Sequence, residues 1–255
     1  MDKTGLNRFI INLLFLVTGV VLSGCSSNPP VQKAVSVPPA SPLLTPQPIE
    51  VREPVNVSFS TYSKDWPVDW QWIDPDEKVE ATPHNVKGGV LRIAIPNKKA
   101  LNQNIGSAPR YLKSIKGDFQ IETRVIFAPK ENYQGAGLLI FWNDTNYLKF
   151  ERAYGGNGGG GEGIRLEARE GSEHQAIATT AEIQTAAREL ELRMVRNGPI
   201  FIAFWRENPE HEWREAGQYE SKYGESIMAG VVAENTARPT VAEFAYIKLL
   251  PGLSP

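Results

Sequence analysis

Residues 117–152, GDFQIETRVIFAPKENYQGAGLLIFWNDTNYLKFER, predict three consecutive β-strands joined by polar turns. Apolar and polar side chains alternate over 119–127, which is the period of a half-buried strand. Residues 136–142 are apolar at nearly every position, as expected for a central strand that is covered on both faces. The Asn- and Asp-rich turn at 143–146 precedes 147–152, where the alternation resumes.

Further segments after residue 54 repeat this pattern, and Asn197-Gly198 is a strong hairpin signal between two of them. By contrast, residues 97–116 are polar and irregular, so we expect a long loop there. We count about eleven or twelve short strands and no long helix, which predicts an all-β fold, a two-sheet antiparallel β-sandwich. The strand-like segments are 55–60, 90–95, 164–169, 189–195, 200–205, 227–233 and 243–249.

The composition fits one globular domain with additional segments. The chain has 255 residues, a net charge of −2 and 41% hydrophobic residues. Because the charge is nearly balanced and there is no basic run, no nucleic-acid partner is expected. The glycine-rich stretch 154–163 is followed by neither Gly-Lys-Ser/Thr nor a helical pattern, which argues against a phosphate-binding loop.

Residues 1–24 have the features of an export signal. Lys3 and Arg8 precede an apolar segment, 9–22, that is too short to span a bilayer comfortably. The following Leu22-Ser23-Gly24-Cys25 resembles the bacterial lipoprotein signal, which implies cleavage before Cys25 and lipidation of its thiol. Cys25 is the only cysteine, so no internal disulfide can form. The alternative is a plain secretory signal followed by a chance cysteine.

Residues 25–54 are rich in Pro, Ser, Val and Gln, which predicts a disordered tether after the lipidated cysteine. A docking segment for a partner is the alternative. Ser26 and Ser27 follow the cysteine, whereas an Asp directly after it usually retains a lipoprotein in the inner membrane of Gram-negative bacteria. The resemblance therefore implies a lipid anchor in the bacterial cell envelope, and it favours the outer membrane over the inner membrane.

Four runs carry a family resemblance across 55–250: GDFQIETRVIFAP, YQGAGLLIFWNDTNYLKFER, LELRMVRNGPIFIAFW and AGVVAENTARPTVAEFAYIKL. They resemble the concanavalin A-like lectin/glucanase jelly roll. The closest resemblance is to a bacterial branch of unknown function, related to the accessory domain behind the catalytic propeller of some xylosidases and arabinosidases. This implies one sandwich domain over 55–250, with 251–255 as a tail.

The sequence gives little support for an enzyme. Glucanases of this superfamily carry Glu-x-Asp-x-(x)-Glu on one strand, which holds nucleophile and general acid close together. Glu189 and Glu191 are two residues apart, but no Asp lies between them. His84, His174 and His211 are scattered, without the spacing of a zinc site. A hydrolase with an unrecognised site remains a third interpretation.

Calcium is the one cofactor that the resemblance suggests, because loops of this superfamily bind it. Asp74, Asp76 and Asp144 are candidate ligands, although single Asp residues in turns are usually only turn residues. Trp66, Trp70 and Trp72 are either a corner of the core or a platform on which a sugar stacks, and the core is the commoner position.

If the apolar side of each strand faces the core, a mixture of aromatic and charged side chains faces outward. Aromatic planes can cover the C–H face of a pyranose, and polar groups can bind its hydroxyls. An ordinary solvated sheet face with cross-strand ion pairs is the alternative. The candidate carbohydrate-binding residues are Glu122, Tyr147, Lys149, Glu151, Arg165, Glu167 and Trp205.

These patterns favour a lipid-anchored, non-catalytic, lectin-like domain that binds a glycan or envelope polymer at the bacterial cell envelope. The lipid on Cys25 would attach the domain to the bilayer. A structural or protein-interaction module that docks an envelope protein partner is the alternative function.

Overall fold

The computed structural model describes residues 48–59 and 69–252, whose strands form two sheets packed face to face. Sheet 1 contains β1 (Ile49–Glu50), β3 (Trp70–Ile73), β6 (Arg110–Lys116), β8 (Gln134–Asn143), β9 (Asn146–Tyr154), β10 (Glu162–Glu170), β11 (Glu173–Ala178) and β15 (Ile227–Glu234). Sheet 2 contains β2 (Val55–Ser58), β4 (His84–Lys87), β5 (Val90–Ile95), β7 (Phe119–Ile126), β12 (Glu189–Asn197), β13 (Ile200–Arg206), β14 (Arg214–Glu220) and β16 (Thr240–Pro251). The four-residue helix α1 (Glu77–Glu80) is the only α-helix in the described residues.

The strand order of sheet 1 is β1-β6-β15-β8-β9-β10-β11, with β3 also paired to β6. The order of sheet 2 is β14-β13-β12-β7-β16-β5-β4, with β2 also paired to β16. All neighbours are antiparallel except β1 and β6, which run parallel. This architecture confirms the predicted all-β, two-sheet sandwich. Within the described ranges no helix is long and apolar enough to cross a membrane.

Strand β8 shows why one segment of the sequence is apolar at nearly every position. Leu138 and Ile140 point into the core between the sheets. Leu139 and Phe141 point the other way and join a smaller apolar cluster with Leu101, which lies outside the sandwich proper. The central strand is thus covered on both faces, as its composition predicts. The outer covering comes from the chain between β5 and β6.

The orientation predicted for Trp205 was wrong. Its strand, β13, carries large apolar residues on both sides, so the sequence pattern does not identify the inward side. Pairing with β12 settles it, because Trp205 lies opposite Leu192, which is fully buried in the core. Trp205 is 5% exposed and packs between the sheets. It is therefore unable to serve as an exposed platform for a sugar.

Two segment predictions also change. The predicted loop at 97–116 ends in strand β6, whose polar pattern misled the sequence argument because Lys113 is buried in an ion pair with Asp69. The sandwich also begins before residue 55, since β1 pairs with β6 and Val51 is buried in the core. The signal segment, Cys25, most of the predicted tether, Trp66 and residues 253–255 lie outside the described residues.

Two tryptophans of the sequence cluster, Trp70 and Trp72, lie in the described residues, and both pack against other aromatic rings. Trp70 is buried and stacks on Tyr111 with ring centroids 5.1 Å apart. Trp72 is partly buried and stacks on His84 at 3.7 Å. Both described tryptophans therefore pack against aromatic neighbours within the protein, which supports a corner of the core over a sugar platform.

Replacing Trp205 by alanine tests its position in the core. Removing a large, fully packed side chain leaves a cavity, so we expect the free energy of unfolding to fall by about 3–5 kcal/mol. Urea denaturation would measure this change in the free energy of unfolding. The control is Val79→Ala, because Val79 is 90% exposed and should change stability by less than about 0.5 kcal/mol. A similarly small effect for Trp205→Ala would contradict the core position.

Candidate functional site

The outer face of sheet 1 gathers five of the seven predicted carbohydrate-binding residues. Tyr147, Lys149 and Glu151 lie on β9, and Arg165 and Glu167 lie on β10. The register places Lys149 directly opposite Glu167 and Glu151 directly opposite Arg165, so each cross-strand pair joins opposite charges. The alternation in the sequence therefore identified these side chains as neighbours.

A fifth charged residue completes this group from the next strand but one. Glu234, at the end of β15, accepts hydrogen bonds from Lys149 Nζ at 2.8 Å and from Arg165 Nη2 at 2.5 Å. Lys149 Nζ also lies 2.8 Å from Glu167 Oε1, and Arg165 Nη2 lies 2.7 Å from Glu151 Oε2. We call Lys149, Glu151, Arg165, Glu167 and Glu234 the ion cluster. All five are at least nine-tenths buried.

The ion cluster holds three carboxyl groups and two cations, so one negative charge is in excess. Burial, reinforced by the neighbouring charge of Glu234, raises the pKa of Glu151 to about 7. Burial alone would also raise the pKa of Glu167, but Lys149, Arg165 and a hydrogen bond with His174 hold it well below its usual value. A proton on Glu151 removes the excess negative charge. This explains why Glu151 keeps its proton to a higher pH than Glu167 does.

The tight packing of the ion cluster depends on two glycines. A Cβ at Gly135 would come within 2.8 Å of the Glu151 carboxyl group. A Cβ at Gly156 would come within 2.7 Å of Arg165 Nη1, and Gly156 also has a φ of +105°, which other residues rarely adopt. The glycine-rich stretch, predicted only as a loop, therefore also makes room for a buried guanidinium.

The carboxylates of the ion cluster resemble a metal site at first sight. One oxygen from each of Glu151, Glu167 and Glu234 lies within 4.8 Å of the others. However, Lys149 Nζ is 2.8 Å from two of these carboxylates and 4.0 Å from the third, so it occupies the position that a cation would take. This group does not fit calcium, which would need oxygen ligands where an ammonium now lies.

The predicted calcium ligands do not come together in the described part of the chain. Asp74 is buried and binds Lys99 Nζ at 2.9 Å and the Thr82 amide at 2.6 Å. Asp144 accepts a hydrogen bond from Arg110 at 3.0 Å, and Asp76 precedes helix α1. Each is a structural residue in its own surroundings, which matches the alternative interpretation of single Asp residues.

Residues 97–109, which we call the crossing loop, lie over one side of the ion cluster. The Leu101 carbonyl accepts hydrogen bonds from Tyr147 Oη and from Lys149 Nζ, both at 3.0 Å. The Leu101 amide donates to Glu234 Oε2 at 3.1 Å. Burial also raises the pKa of Tyr147, so its hydroxyl stays protonated and able to donate. The side chains of Tyr147, Lys149 and Glu234 thus hold Leu101 of the crossing loop in place.

Beside the crossing loop, the face opens into a cleft of about 430 Å³. That volume is within the range of small-molecule sites. Glu167 and Glu234 of the ion cluster contribute to its floor, and polar loop side chains surround it. The lining residues are Ala100, Asn102, Gln103, Asn104, Tyr133, Tyr147, Lys149, Asn157, Glu167, Arg169, His174, Glu234 and Thr236.

Tyr133 places an aromatic ring at the rim of this cleft. It is 40% exposed, whereas the aromatic residues of the core are buried. Its backbone has a φ of +65°, an unfavourable conformation for a tyrosine, which the surrounding structure must hold in place. Its hydroxyl donates to Asn157 Oδ1 at 3.2 Å, and Asn157 in turn contacts the His174 ring at 3.3 Å.

Sequence reasoning missed Tyr133 because it lies in a break between strands rather than in an alternating pattern. The one usable signal was a large aromatic residue in a polar turn, KENYQG, where burial offers no reason for it. Glu234 was missed for a related reason, since a single Glu at the end of an apolar strand shows no periodicity.

The other two predicted site residues are elsewhere. Glu122 lies on the outer face of sheet 2, where its carboxylate is 2.7 Å from Arg193 Nη2. The Arg193 guanidinium in turn packs over the Trp213 ring at 4.0 Å. Trp205 is in the core. The single outward face expected from the sequence is therefore two faces on opposite sides of the sandwich, because strand alternation does not specify which sheet a strand joins.

This fold and its sequence define the class. Residues 57–248 match the model of the Beta xylosidase C-terminal Concanavalin A-like domain, and the chain belongs to that family. This confirms the resemblance to concanavalin A-like accessory domains. No curated protein matches the sequence.

Solved structures with this fold include two longer Bacillus proteins and a lectin. The GH43 protein BlXynB from Bacillus licheniformis has a TM-score of 0.61 and 17% identity over 76% of this chain and 39% of its own. Xylan beta-1,4-xylosidase from Bacillus Halodurans C-125 has a TM-score of 0.62 and 13% identity over 76% of this chain and 38% of its own. Lectin I-B4 from Griffonia simplicifolia, in its metal-free form, has a TM-score of 0.52 and 12% identity over 76% of this chain and 98% of its own. This chain therefore spans about two fifths of the two Bacillus proteins.

The pKa of Glu151 gives the protein a specific pH dependence. Between about pH 4.5 and about pH 7 the folded protein keeps a proton at Glu151 that the unfolded chain has released, so stability falls as pH rises through this window. In Glu151→Gln this loss is absent. We therefore expect the variant to gain stability relative to the wild type as pH rises from about 4.5 to about 7, by at most about 1.4 kcal/mol per pH unit.

Urea unfolding of both proteins across this pH range measures the difference. Glu173→Gln is the control, because it removes an exposed carboxyl from β11 and should leave the shape of the stability curve unchanged. A constant difference between Glu151→Gln and the wild type at every pH would show that Glu151 is not the proton-binding group.

Proposed function

We propose that the chain is a carbohydrate-binding domain that holds a sugar in the cleft on the outer face of sheet 1. The observation that carries this proposal is the exposed, strained Tyr133 ring at the rim of a polar cleft with a rigid floor. A ring in this position can stack on the C–H face of a pyranose. The side chains of Asn102, Asn104 and Asn157 can then exchange hydrogen bonds with its hydroxyl groups.

The rigidity of the site supports binding. Each carboxylate that reaches the cleft is already held by the cations of the ion cluster, and the crossing loop is fixed through Leu101. A floor that is ordered before binding loses little conformational entropy when a sugar enters. The family's xylosidase name and the lectin with the same fold are consistent with a sugar as the bound molecule.

The same geometry supports a non-catalytic role. A general acid at neutral pH needs a raised pKa and direct access to the reacting oxygen. Glu151 has the raised pKa, but it is fully buried and does not line the cleft. Glu167 and Glu234 do line the cleft, but their oxygens are occupied by cations and a backbone amide. Glu151 thus has a suitable pKa but no access to the cleft, whereas Glu167 and Glu234 reach the cleft but are held by other groups.

We further propose that the domain is attached by a lipid on Cys25 to the bacterial cell envelope, at the outer membrane. This rests on the signal-like segment 1–24, the single cysteine behind it and the Pro-rich segment that follows. The tether would let the domain reach a glycan or envelope polymer while the lipid stays in the bilayer. An envelope protein partner is the rival ligand, and the experiment below separates it.

Replacing Tyr133 by alanine tests the sugar-binding role. We expect binding of the full chain, in mild detergent, to its best saccharide on a glycan array to weaken by roughly tenfold or more, because a stacking contact is lost. Tyr133→Phe should keep most of the affinity, because it retains the ring. Trp213→Ala is the matched control, since it removes an aromatic residue from the outer face of sheet 2.

The alternatives give different results in this experiment. Equal loss in Tyr133→Ala and Trp213→Ala, or loss in Trp213→Ala alone, would contradict the position of the site. A folded chain that binds no saccharide would overturn the proposal. In that case, crosslinking to an envelope protein in intact cells would identify the rival function.

Replacing Cys25 by serine tests the lipid anchor. We expect the wild type to incorporate an alkyne-labelled fatty acid and to sediment with membranes, whereas Cys25→Ser incorporates none, because the acceptor thiol is missing. Ser26→Ala is the control and should behave like the wild type. Labelling of Cys25→Ser equal to the wild type would exclude lipidation at this residue.

A further inference from the structure

The described part of the chain buries five arginines, and four of them have clear partners. Arg165 binds Glu151 and Glu234 within the ion cluster. Arg110 binds the Asp144 carboxylate. Arg152 binds the Glu162 carboxylate and the Ala187 carbonyl. Arg196 donates to the backbone carbonyls of Gly198 and Glu225. Arg169 is only 6% exposed, yet its side chain makes no hydrogen bond or ion pair within the described residues.

Arg169 lies in the cleft. Its position on β10 is directly opposite Tyr147 of β9 and His174 of β11, and it lines the cavity together with both. Glu167, two residues before it on the same strand, is held by Lys149 at 2.8 Å and by His174 at 3.2 Å. The Glu167 carboxylate is therefore already engaged by other groups, and the guanidinium of Arg169 is left without an ion-pair partner among the described residues.

The charge of this arginine is paired with no group in the part of the protein that the structure describes. A guanidinium remains protonated under all ordinary conditions, and the nitrogen atoms of Arg169 are not among the buried polar atoms that lack a partner, so they face the solvent of the cleft. An anion that enters the cleft would supply the missing partner, and the planar guanidinium can bind a carboxylate through two parallel hydrogen bonds. A neutral sugar would leave this charge unpaired while also displacing water from it.

We propose that the cleft selects an acidic saccharide and that Arg169 pairs with its anionic group. This inference rests on the proposed sugar-binding function and names the class of sugar. The carboxylate of a uronic acid is the expected group, while a sulfate or phosphate ester would present the same charge to the same guanidinium. Tyr133 and the asparagines of the rim would bind the sugar ring, and Arg169 would determine which sugars are accepted.

Matched saccharides test this selection on the full chain in mild detergent. The probes are tetragalacturonate, its methyl ester, a neutral galactotetraose and a carrageenan tetrasaccharide that carries sulfate. Calorimetry should give the tightest binding for one of the charged probes, with affinity at least tenfold weaker for the uncharged forms. Comparing the carboxylate with the sulfate probe identifies which anion the site prefers. Binding should also weaken as salt is raised.

Arg169→Gln should remove this preference. Affinity for the charged probe is expected to fall by roughly ten- to a hundredfold, the effect of losing a charge-assisted hydrogen-bond pair. Arg169→Lys keeps the charge but loses the two-pronged geometry, so an intermediate affinity is expected. Arg92→Gln is the control, because it removes the same charge from sheet 2, and it should change affinity less than twofold.

Thermal unfolding separates recognition from a structural role. Because Arg169 lacks a partner in the protein, Arg169→Gln should melt at the same temperature as the wild type or higher. A large drop in melting temperature, together with unchanged selection by Arg169→Lys, would overturn the proposal. The methyl-ester comparison needs no variant, so it tests the charge preference even if a substitution impairs folding.

The two proposals fail in different ways. If galactotetraose and the methyl ester bind as tightly as the charged probes and Arg169→Gln has no effect, the cleft binds sugars but does not select acidic ones. If a glycan array that includes neutral and acidic saccharides shows no binding at all, the proposed function itself is wrong, and this inference is overturned with it.

Discussion

The pairing of Lys149 and Arg165 with three carboxyl groups is the interaction on which the outer face of sheet 1 depends. Five charged side chains are taken out of water on the outer side of a sheet, where a β-sandwich usually meets solvent. The mutual pairing of these charges offsets the cost of their burial, and removing one partner would leave the others uncompensated. The crossing loop is held on this face by its Leu101 backbone, which forms hydrogen bonds with Glu234 and Lys149. The cleft lies beside this loop and is lined by its residues Ala100, Asn102, Gln103 and Asn104.

Much of the fold could be predicted from alternation alone. The segments around β7, β8 and β9 follow directly from the apolar pattern, and the doubly apolar β8 was correctly placed at the centre of a sheet. The pattern failed where both sides of a strand look alike, as on β13, where Trp205 points into the core. It also failed at β6, because a lysine that is buried by an ion pair looks like a loop residue in a sequence.

The candidate site could be predicted only in part, for a physical reason. Alternation correctly grouped Tyr147, Lys149 and Glu151 with Arg165 and Glu167, because they lie on adjacent strands of one hairpin and are linked by local register. Glu234 reaches the group from a strand more than sixty residues later, and Tyr133 comes from a turn, so no local period marks either residue. Whether the face belongs to sheet 1 or sheet 2 is set by long-range pairing, which is why Glu122 was grouped with residues on the opposite side.

Lys149 has a consequence beyond its contacts. An ammonium placed among three carboxylates acts as a built-in counterion, attached to the chain by covalent bonds. A counterion of this kind cannot be chelated, diluted or exchanged for another ion, whereas a bound metal follows its concentration in the surroundings. The floor of the cleft therefore keeps its shape whatever the supply of divalent ions outside the protein.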